Sequence, residues 1–227
     1  VKNIYDVPTG VDTDFFRPSG QRQTRPHNLV FTGSMDWLPN EDAIRYFTEQ
    51  IMPRIKPSIP DATLTVVGRD PYPGLVELSK RDASIVVTGR VDDVRPYMEE
   101  AAVYIVPLRI GGGTRLKIFE AMAMEKPIVS TSIGAEGLPV SDGEDILLAD
   151  TPESFAGAVI RLFQQEDLAT EIGRRAAAKV REQFGWDTVA ESFASICERT
   201  IAMKPQPRIH ADNNAKILTD KRERILQ

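Results

Sequence analysis

Along the chain, short apolar runs that end in glycine or proline alternate with segments whose apolar positions recur at three- and four-residue spacing. The runs predict strands at 28–33, 62–68, 84–89, 103–107, 127–131 and 146–148. Between them, Ala43, Ile44, Phe47 and Ile51 mark one face of a helix over 41–51, for which Asn40 is the expected N-cap. A weaker helix is predicted over 72–80. A short one opens at Asp92 or Asp93 and runs to Ala101, with Pro96 tolerable because it falls in the first turn. Good helix formers fill 115–124, with Thr114 placed to cap them, and three more helices follow at 152–164, 168–184 and 186 to about 201, the last two separated at Phe184-Gly185-Trp186.

Strands that are apolar on both faces and alternate with helices specify an α/β domain, a doubly wound parallel six-stranded Rossmann-like sheet with helices on either side. Ligands in such sheets bind beyond the carboxyl ends of the strands, near the switch in strand order. Gly33, Gly68, Gly89 and the loop beginning at Gly111 all follow predicted strands and fall on that edge. Residues 1–26 show no sustained period and several prolines, and read as a linker and lead-in; 27–203 form the domain. Residues 204–227 form a polar tail, with a helix over 215–226 as a minority reading.

Composition narrows the function classes. A net charge of −5 over 227 residues argues against a nucleic-acid binder. No apolar run approaches the ~18 residues that a membrane helix needs, and no signal peptide opens the sequence, so a soluble, cytoplasmic protein is expected. Cys197 is the single cysteine, which excludes an internal disulfide. His27 and His210 are far apart and lack neighbouring ligands, so neither a metal centre nor a His-based triad is expected.

The chemistry concentrates in Gly111-Gly112-Gly113-Thr114-Arg115-Leu116-Lys117-Ile118-Phe119-Glu120. Three glycines let a backbone approach a ligand without Cβ obstruction. They deliver the chain onto a helix start, where unpaired N–H groups and the dipole favour an anion. Neither the Walker spacing nor the dinucleotide G-x-G-x-x-G is present. Glu120, on a helix whose Leu116, Phe119 and Ala123 read as core-facing, is either a surface carboxylate or one that projects into a crevice to bind hydroxyls. Arg115 and Lys117 are the nearest cations. At ~100° per residue they lie about 200° apart, so both cannot face one phosphate.

Four stretches carry a family resemblance: 8–18 (PTGVDTDFFRP), 31–35 (FTGSM), 88–91 (TGRV) and 120–130 (EAMAMEKPIVS). Together they resemble the nucleotide-sugar-binding C-terminal half of a GT-B glycosyltransferase of the retaining family 4, the glycosyl transferases group 1, over about 7–201. The resemblance implies a two-domain enzyme with its active site between the halves. Its missing N-terminal domain would supply the acceptor site, so the present half binds donor but is inactive alone. Peripheral association with the inner face of a membrane would run through that missing half.

Carried over residue by residue, Glu120 matches the second glutamate of the family's E-x7-E motif, which holds the ribose of the donor. The first glutamate falls at Gly112 and is absent, leaving the sugar to the backbone of Gly111, Gly112, Gly113 and Thr114, with Leu116 beside them. The basic pair that the family places after the first strand is replaced by Ser34 and Pro39-Asn40, next to Gly33. Arg115 is favoured for the diphosphate over Lys117, with Arg109 as an outside candidate; the alternative for Lys117 is a pair with Glu120. Arg90 and Val91 match the position that holds the base. Glu125 replaces the usual glycine at the helix end, where a left-handed residue would cost roughly 1 kcal/mol. The implied reaction is transfer of a glycosyl group from a nucleoside diphosphate sugar, a substrate and not a cofactor, to a glycan or lipid-linked acceptor with retention, in polysaccharide or glycoconjugate synthesis. The competing class is a non-catalytic nucleotide-sugar or partner-binding module on the same fold.

Overall fold

The computed structural model describes residues 4–202. Two compact units emerge, Asp6–Ala190 and a smaller one whose described residues are 4–5 and 191–202. In the smaller unit the Arg199 guanidinium lies over the Tyr5 ring, 5.1 Å from its centroid. The predicted tail from 204 onward lies outside the described residues.

The larger unit is built on six parallel strands: β1 Asn28–Thr32, β2 Thr63–Val67, β3 Ile85–Val87, β4 Val103–Val106, β5 Ile128–Ser130 and β6 Leu147–Leu148. Their order across the sheet is β3-β2-β1-β4-β5-β6, so the order reverses between β1 and β4. Helices α1 Leu38–Tyr46, α2 Met52–Ile55, α3 Pro73–Arg81, α4 Arg95–Glu99 and α5 Leu116–Ala123 connect the first five strands; α6 Pro152–Gln164, α7 Glu166–Gln183 and α8 Trp186–Ala202 follow β6. All six predicted strands and the alternation with helices are present, with ends moved by a residue or two. The difference that carries information lies between α1 and α2, where Phe47–Ile51 forms a π turn that shifts the face presented by the second half of the helix.

Every residue of β1 and β4 is buried, as expected for central strands covered on both faces. Phe47 and Phe155 meet edge to face at 6.1 Å over one side of the sheet, and Phe119 stacks on Phe184 at 4.6 Å, tying α5 to the end of α7. Gly173 lets α7 close on the turn after α5, since a Cβ there would lie 2.3 Å from the Glu125 carbonyl. Glu125 has φ 58°, the left-handed conformation expected for it. The amide of Lys126 returns to the Ala121 carbonyl at 3.0 Å, and Arg181 pairs with the Glu125 carboxylate at 2.9 Å. The lead-in is tied to the domain: Val11 bridges to Gly185 and donates to the Phe184 carbonyl at 2.8 Å, while buried Glu99 accepts from Ser19 and from the Gly20 amide.

Two expected caps need correction. α1 begins at Leu38, with Trp37 as N-cap and Pro39 in the first turn, so Asn40 lies inside the helix and does not cap it. α5 begins at Leu116 with Arg115 as N-cap and no side-chain capping bond, so Thr114 does not cap it either. In both places a tertiary contact overrides the local preference: Asn40 turns inward to another element, and the Arg115 side chain ties down the glycine loop.

Candidate functional site

At the reversal of strand order, the exits of β1 and β4 and the start of α5 come together. Gly33 follows β1, and a Cβ on it would lie 2.8 Å from both Lys117 Nζ and Asn40 Nδ2. Glycine is therefore required at this exit because the lysine head occupies the space. The neighbouring β2 exit is closer still. A Cβ on Gly68 would sit 1.7 Å from the Gly33 carbonyl oxygen, so the two exits pack backbone on backbone and hold the edge rigid.

Lys117 reaches from α5 to this exit. Its Nζ donates to Asn40 Oδ1 at 2.9 Å and lies 4.1 Å from the centroid of the Phe31 ring. The same Asn40 donates through Nδ2 to the Ser34 carbonyl at 2.8 Å. One buried amide thus joins the β1 exit, α1 and α5. Burial lowers the Lys117 pKa to about 7, opposed by the nearby Glu120 charge. An ammonium has three N–H donors. One is committed to Asn40 and a ring face takes part of the charge, which leaves donor capacity for an anion.

Glu120, one turn further along α5, is partly buried and not turned to bulk water. Burial raises its carboxyl pKa and Lys117 pulls it down. Among the described residues its carboxylate makes no hydrogen bond or ion pair, so the expected alternative of a Lys117–Glu120 pair within 4 Å is not formed. Lys117 is held by Asn40 instead. Beneath Glu120, Tyr104 is fully buried, with its hydroxyl 2.5 Å from Thr32 Oγ1; burial raises the phenol pKa, with Glu120 adding to the effect.

Arg115 sits elsewhere. Its Nη1 donates to the Gly112 carbonyl at 2.7 Å and its Nη2 to the Ile133 carbonyl at 3.1 Å; the side chain is buried and its Nε has no partner among the described residues. The guanidinium staples the glycine loop to the loop after β5. The separation of Arg115 from Lys117 expected from helical angle is observed. Arg109 is bound through two nitrogens to Asp42, at 2.6 and 3.1 Å, and lies 4.4 Å over the Tyr46 ring.

In the glycine loop, Gly112 and Gly113 have φ of 133° and 77°, with nothing within 4 Å of either Cβ position, and Gly111 and Thr114 are exposed beside them; Leu116, expected to face the core, is exposed as the first residue of α5. The first amides of α5 are satisfied by no side chain. At the β3 exit, Gly89 has φ 68°, Arg90 is exposed and Val91 is half-buried.

Three side chains escaped the sequence reading. Asn40 is an anchor and not a cap. Arg69, at the β2 exit, donates from Nε to Ser34 Oγ at 2.7 Å. Glu136, in the loop after β5, has its Oε2 3.1 Å from the Cβ position of Gly111. The missing family Arg and Lys after β1 were the available signal for the first two, since a vacated basic position invites replacement from a neighbouring element. Glu136 had no comparable local signal.

A cavity of about 570 Å³ lies at the opposite edge of the sheet, by the amino ends of β1, β4 and β5, between His27, Ala102, Lys126, Pro127 and Phe163. There the Lys126 ammonium is spent on the Glu99 and Ala101 carbonyls, at 2.6 and 3.2 Å.

A family model described as Glycosyl transferases group 1 matches residues 26–165. The chain is 28% identical over 204 residues to the D-inositol 3-phosphate glycosyltransferase of Paenarthrobacter aurescens (strain TC1), covering 81% of this chain and 48% of that one. It is 25% identical over 211 residues to the GDP-mannose-dependent alpha-(1-6)-phosphatidylinositol monomannoside mannosyltransferase of Mycobacterium tuberculosis (strain CDC 1551 / Oshkosh), covering 84% of this chain and 54% of that one. The chain therefore spans about half the length of the curated relatives it matches. Among solved structures, a glycosyltransferase from Rickettsia africae ESF-5 shares the fold with a TM-score of 0.72 at 16% identity, over 88% of this chain and 58% of that one.

Proposed function

Because the chain belongs to the glycosyl transferases group 1, we propose that it is the donor-binding half of a retaining glycosyltransferase that uses a nucleoside diphosphate sugar and a glycan or lipid-linked acceptor. The observation that carries this reading is that an incompletely satisfied ammonium, Lys117, and an unengaged, partly buried carboxylate, Glu120, lie on one face of α5 at the strand-order reversal without bonding each other.

In this reading Lys117 binds the diphosphate, together with the amides of Leu116 and Lys117, the Ile118 amide being taken by the Arg115 carbonyl at 2.9 Å. As the glycosidic bond breaks, negative charge grows on the leaving diphosphate, and fixed donors already aimed at it stabilise the transition state without reorganising. Glu120 accepts from the two ribose hydroxyls, which a carboxylate can do with separate oxygens. Gly33 and Ser34 bound the diphosphate on the β1 side, and the backbone at Arg90 and Val91 holds the base. Arg115 keeps the glycine loop in shape through Gly112 and Ile133 rather than touching the phosphate. Lys117 then supplies from α5 the charge that Ser34 and Asn40 cannot supply after β1. The acceptor site belongs to an N-terminal half, and synthesis of a polysaccharide or glycoconjugate in the cytoplasm or at the inner face of a membrane is the setting that suits the relatives' chemistry.

The test is a melting-temperature screen of the 227-residue chain against UDP, GDP and ADP, since a ligand bound only by the folded state raises the midpoint by mass action. One base is expected to raise it, and Glu120→Ala to abolish the rise. No rise with any of the three contradicts the reading. Transfer by the protein joined to its N-terminal half, lost in Glu120→Ala, separates an enzyme from a binding module.

A further inference from the structure

The glycine loop has no carboxylate at Gly112, the position to which the family resemblance assigns one. The backbone gives a reason: Gly112 has φ 133° and Gly113 φ 77°, conformations that a glutamate adopts only under strain. Positions 112 and 113 therefore disfavour a carboxylate of their own.

The loop between β5 and β6 provides one. Its path is fixed at four points. The Thr131 amide donates to the Val106 carbonyl at 3.2 Å, and the Thr131 hydroxyl donates to the Leu108 carbonyl and accepts from the Gly134 amide at 2.8 Å. Gly134 is pressed so closely against β4 that a Cβ would lie 2.7 Å from the Val106 carbonyl oxygen. Arg115 clamps Ile133 from the other side, and Ser132 is held through its amide and hydroxyl by Asp150, at 2.7 Å each. This rigid loop carries Glu136 over the glycine turn, with Oε2 3.1 Å from the position a Gly111 Cβ would take. The Glu136 side chain is exposed and makes no hydrogen bond or ion pair among the described residues. A free carboxylate on a pinned loop, above glycines that leave room for it, has the chemistry to accept from sugar hydroxyls.

We propose that Glu136 binds hydroxyls of the transferred sugar and thereby sets sugar specificity, supplying from the loop after β5 the carboxylate that position 112 lacks. The proposal rests on the nucleotide-sugar reading of the site, but it concerns the sugar alone and leaves the nucleotide to Lys117 and Glu120. A Cβ on Gly111 would meet the end of this exposed carboxylate at 3.1 Å, a crowding that a small rotation of the Glu136 side chain relieves.

Calorimetric titration of the 227-residue chain with UDP and UDP-glucose, GDP and GDP-mannose, and ADP and ADP-glucose tests it, using the wild-type, Glu136→Gln, Gly111→Ala and Glu120→Ala proteins. For the base that binds, Glu136→Gln is expected to leave the diphosphate Kd within about twofold and to weaken the sugar nucleotide about tenfold, the usual scale for a hydrogen bond to a charged group. Gly111→Ala should show at most part of this selective loss, since the carboxylate can shift, and Glu120→Ala should weaken both ligands alike. If Glu136→Gln changes diphosphate and sugar nucleotide equally, or changes neither, Glu136 does not read the sugar and the proposal fails while the nucleotide site stands. If none of the six ligands binds the wild-type chain, both fail together.

Discussion

Two lysines at opposite edges of one sheet have closely matched surroundings and different fates. Lys126, at the amino edge, is buried with a pKa pushed down to about 8; Lys117, at the carboxyl edge, is pushed down to about 7. Lys126 gives two of its donors to backbone carbonyls at the end of α4, where the helix leaves acceptors unpaired. Lys117 has one amide oxygen and a ring face. Burial and a lowered pKa are common to both, so neither identifies a functional lysine. What separates them is how many of the three N–H donors the protein itself satisfies. The amino-edge lysine is a structural brace beside a cavity, and the carboxyl-edge lysine keeps donors that the protein does not take up, which the proposed function assigns to a ligand.

The largest effect should come from breaking the brace. Lys126→Met strands two buried carbonyls, each worth about 1–3 kcal/mol. At about 2–4 °C per kcal/mol for a domain of this size, the melting midpoint should fall by roughly 4–24 °C, while nucleoside diphosphate affinity of the folded fraction stays unchanged. Scanning calorimetry of the apo protein reads this directly.

Lys117→Met should show the reverse pattern. Removing the buried charge relieves its desolvation but leaves Asn40 Oδ1 without its donor, and at about 1–3 kcal/mol each the two effects offset, so the apo midpoint is expected to stay within a few degrees of wild type. Diphosphate affinity should fall about 10- to 100-fold with the loss of charge-assisted bonds. A fall in the midpoint together with unchanged affinity would make the two lysines equivalent and remove the distinction.

pH gives a finer separation. For both lysines the folded pKa lies below the ordinary 10.5, so between about pH 7 and 10.5 for Lys117, and about 8 and 10.5 for Lys126, the unfolded chain binds more protons. Apo stability should therefore rise with pH through those windows, and the rise should shrink in each Met variant. Ligand binding should run the other way. An anion favours the charged Lys117, so affinity is highest near pH 7 and declines by up to about tenfold per unit above it, with proton uptake on binding. The terminal phosphate is already ionised there, its second pKa being about 6. Titration in two buffers of different ionisation enthalpy counts the protons, and the decline should vanish in Lys117→Met but persist in Lys126→Met.

The smallest effect belongs to the turn between the two lysines. Glu125→Gly relieves a left-handed glutamate, worth roughly 1 kcal/mol, and loses an exposed pair with Arg181 worth about 0–1 kcal/mol. A midpoint raised by at most about 3 °C, with binding untouched, is expected in a thermal melt.

The sheet was legible in the sequence because central strands buried on both faces must be apolar throughout and must exit through residues that tolerate crowding; Gly33 and Gly68 mark such exits. Glu125 was legible as strained only through the family resemblance, which puts glycine at this helix end, and its φ of 58° bears that out. The angular separation of Arg115 and Lys117 could be computed, but not which of them faced β1. That depends on β4 lying beside β1, a non-local fact. Asn40 looked like a cap because helix starts favour Asn, yet Lys117, 77 residues away, claims its oxygen. Glu136 was silent for the same reason: its loop reaches the glycine turn only because β5 neighbours β4. Local chemistry was readable, and partners chosen by sheet order were not.

The most direct test of the central claim is the dissociation constant of the preferred nucleoside diphosphate, UDP, GDP or ADP, measured at pH 7 for the wild-type chain, Lys117→Met and Lys126→Met. The account predicts a 10- to 100-fold loss for Lys117→Met and wild-type affinity for folded Lys126→Met. Equal affinity in all three proteins would contradict it.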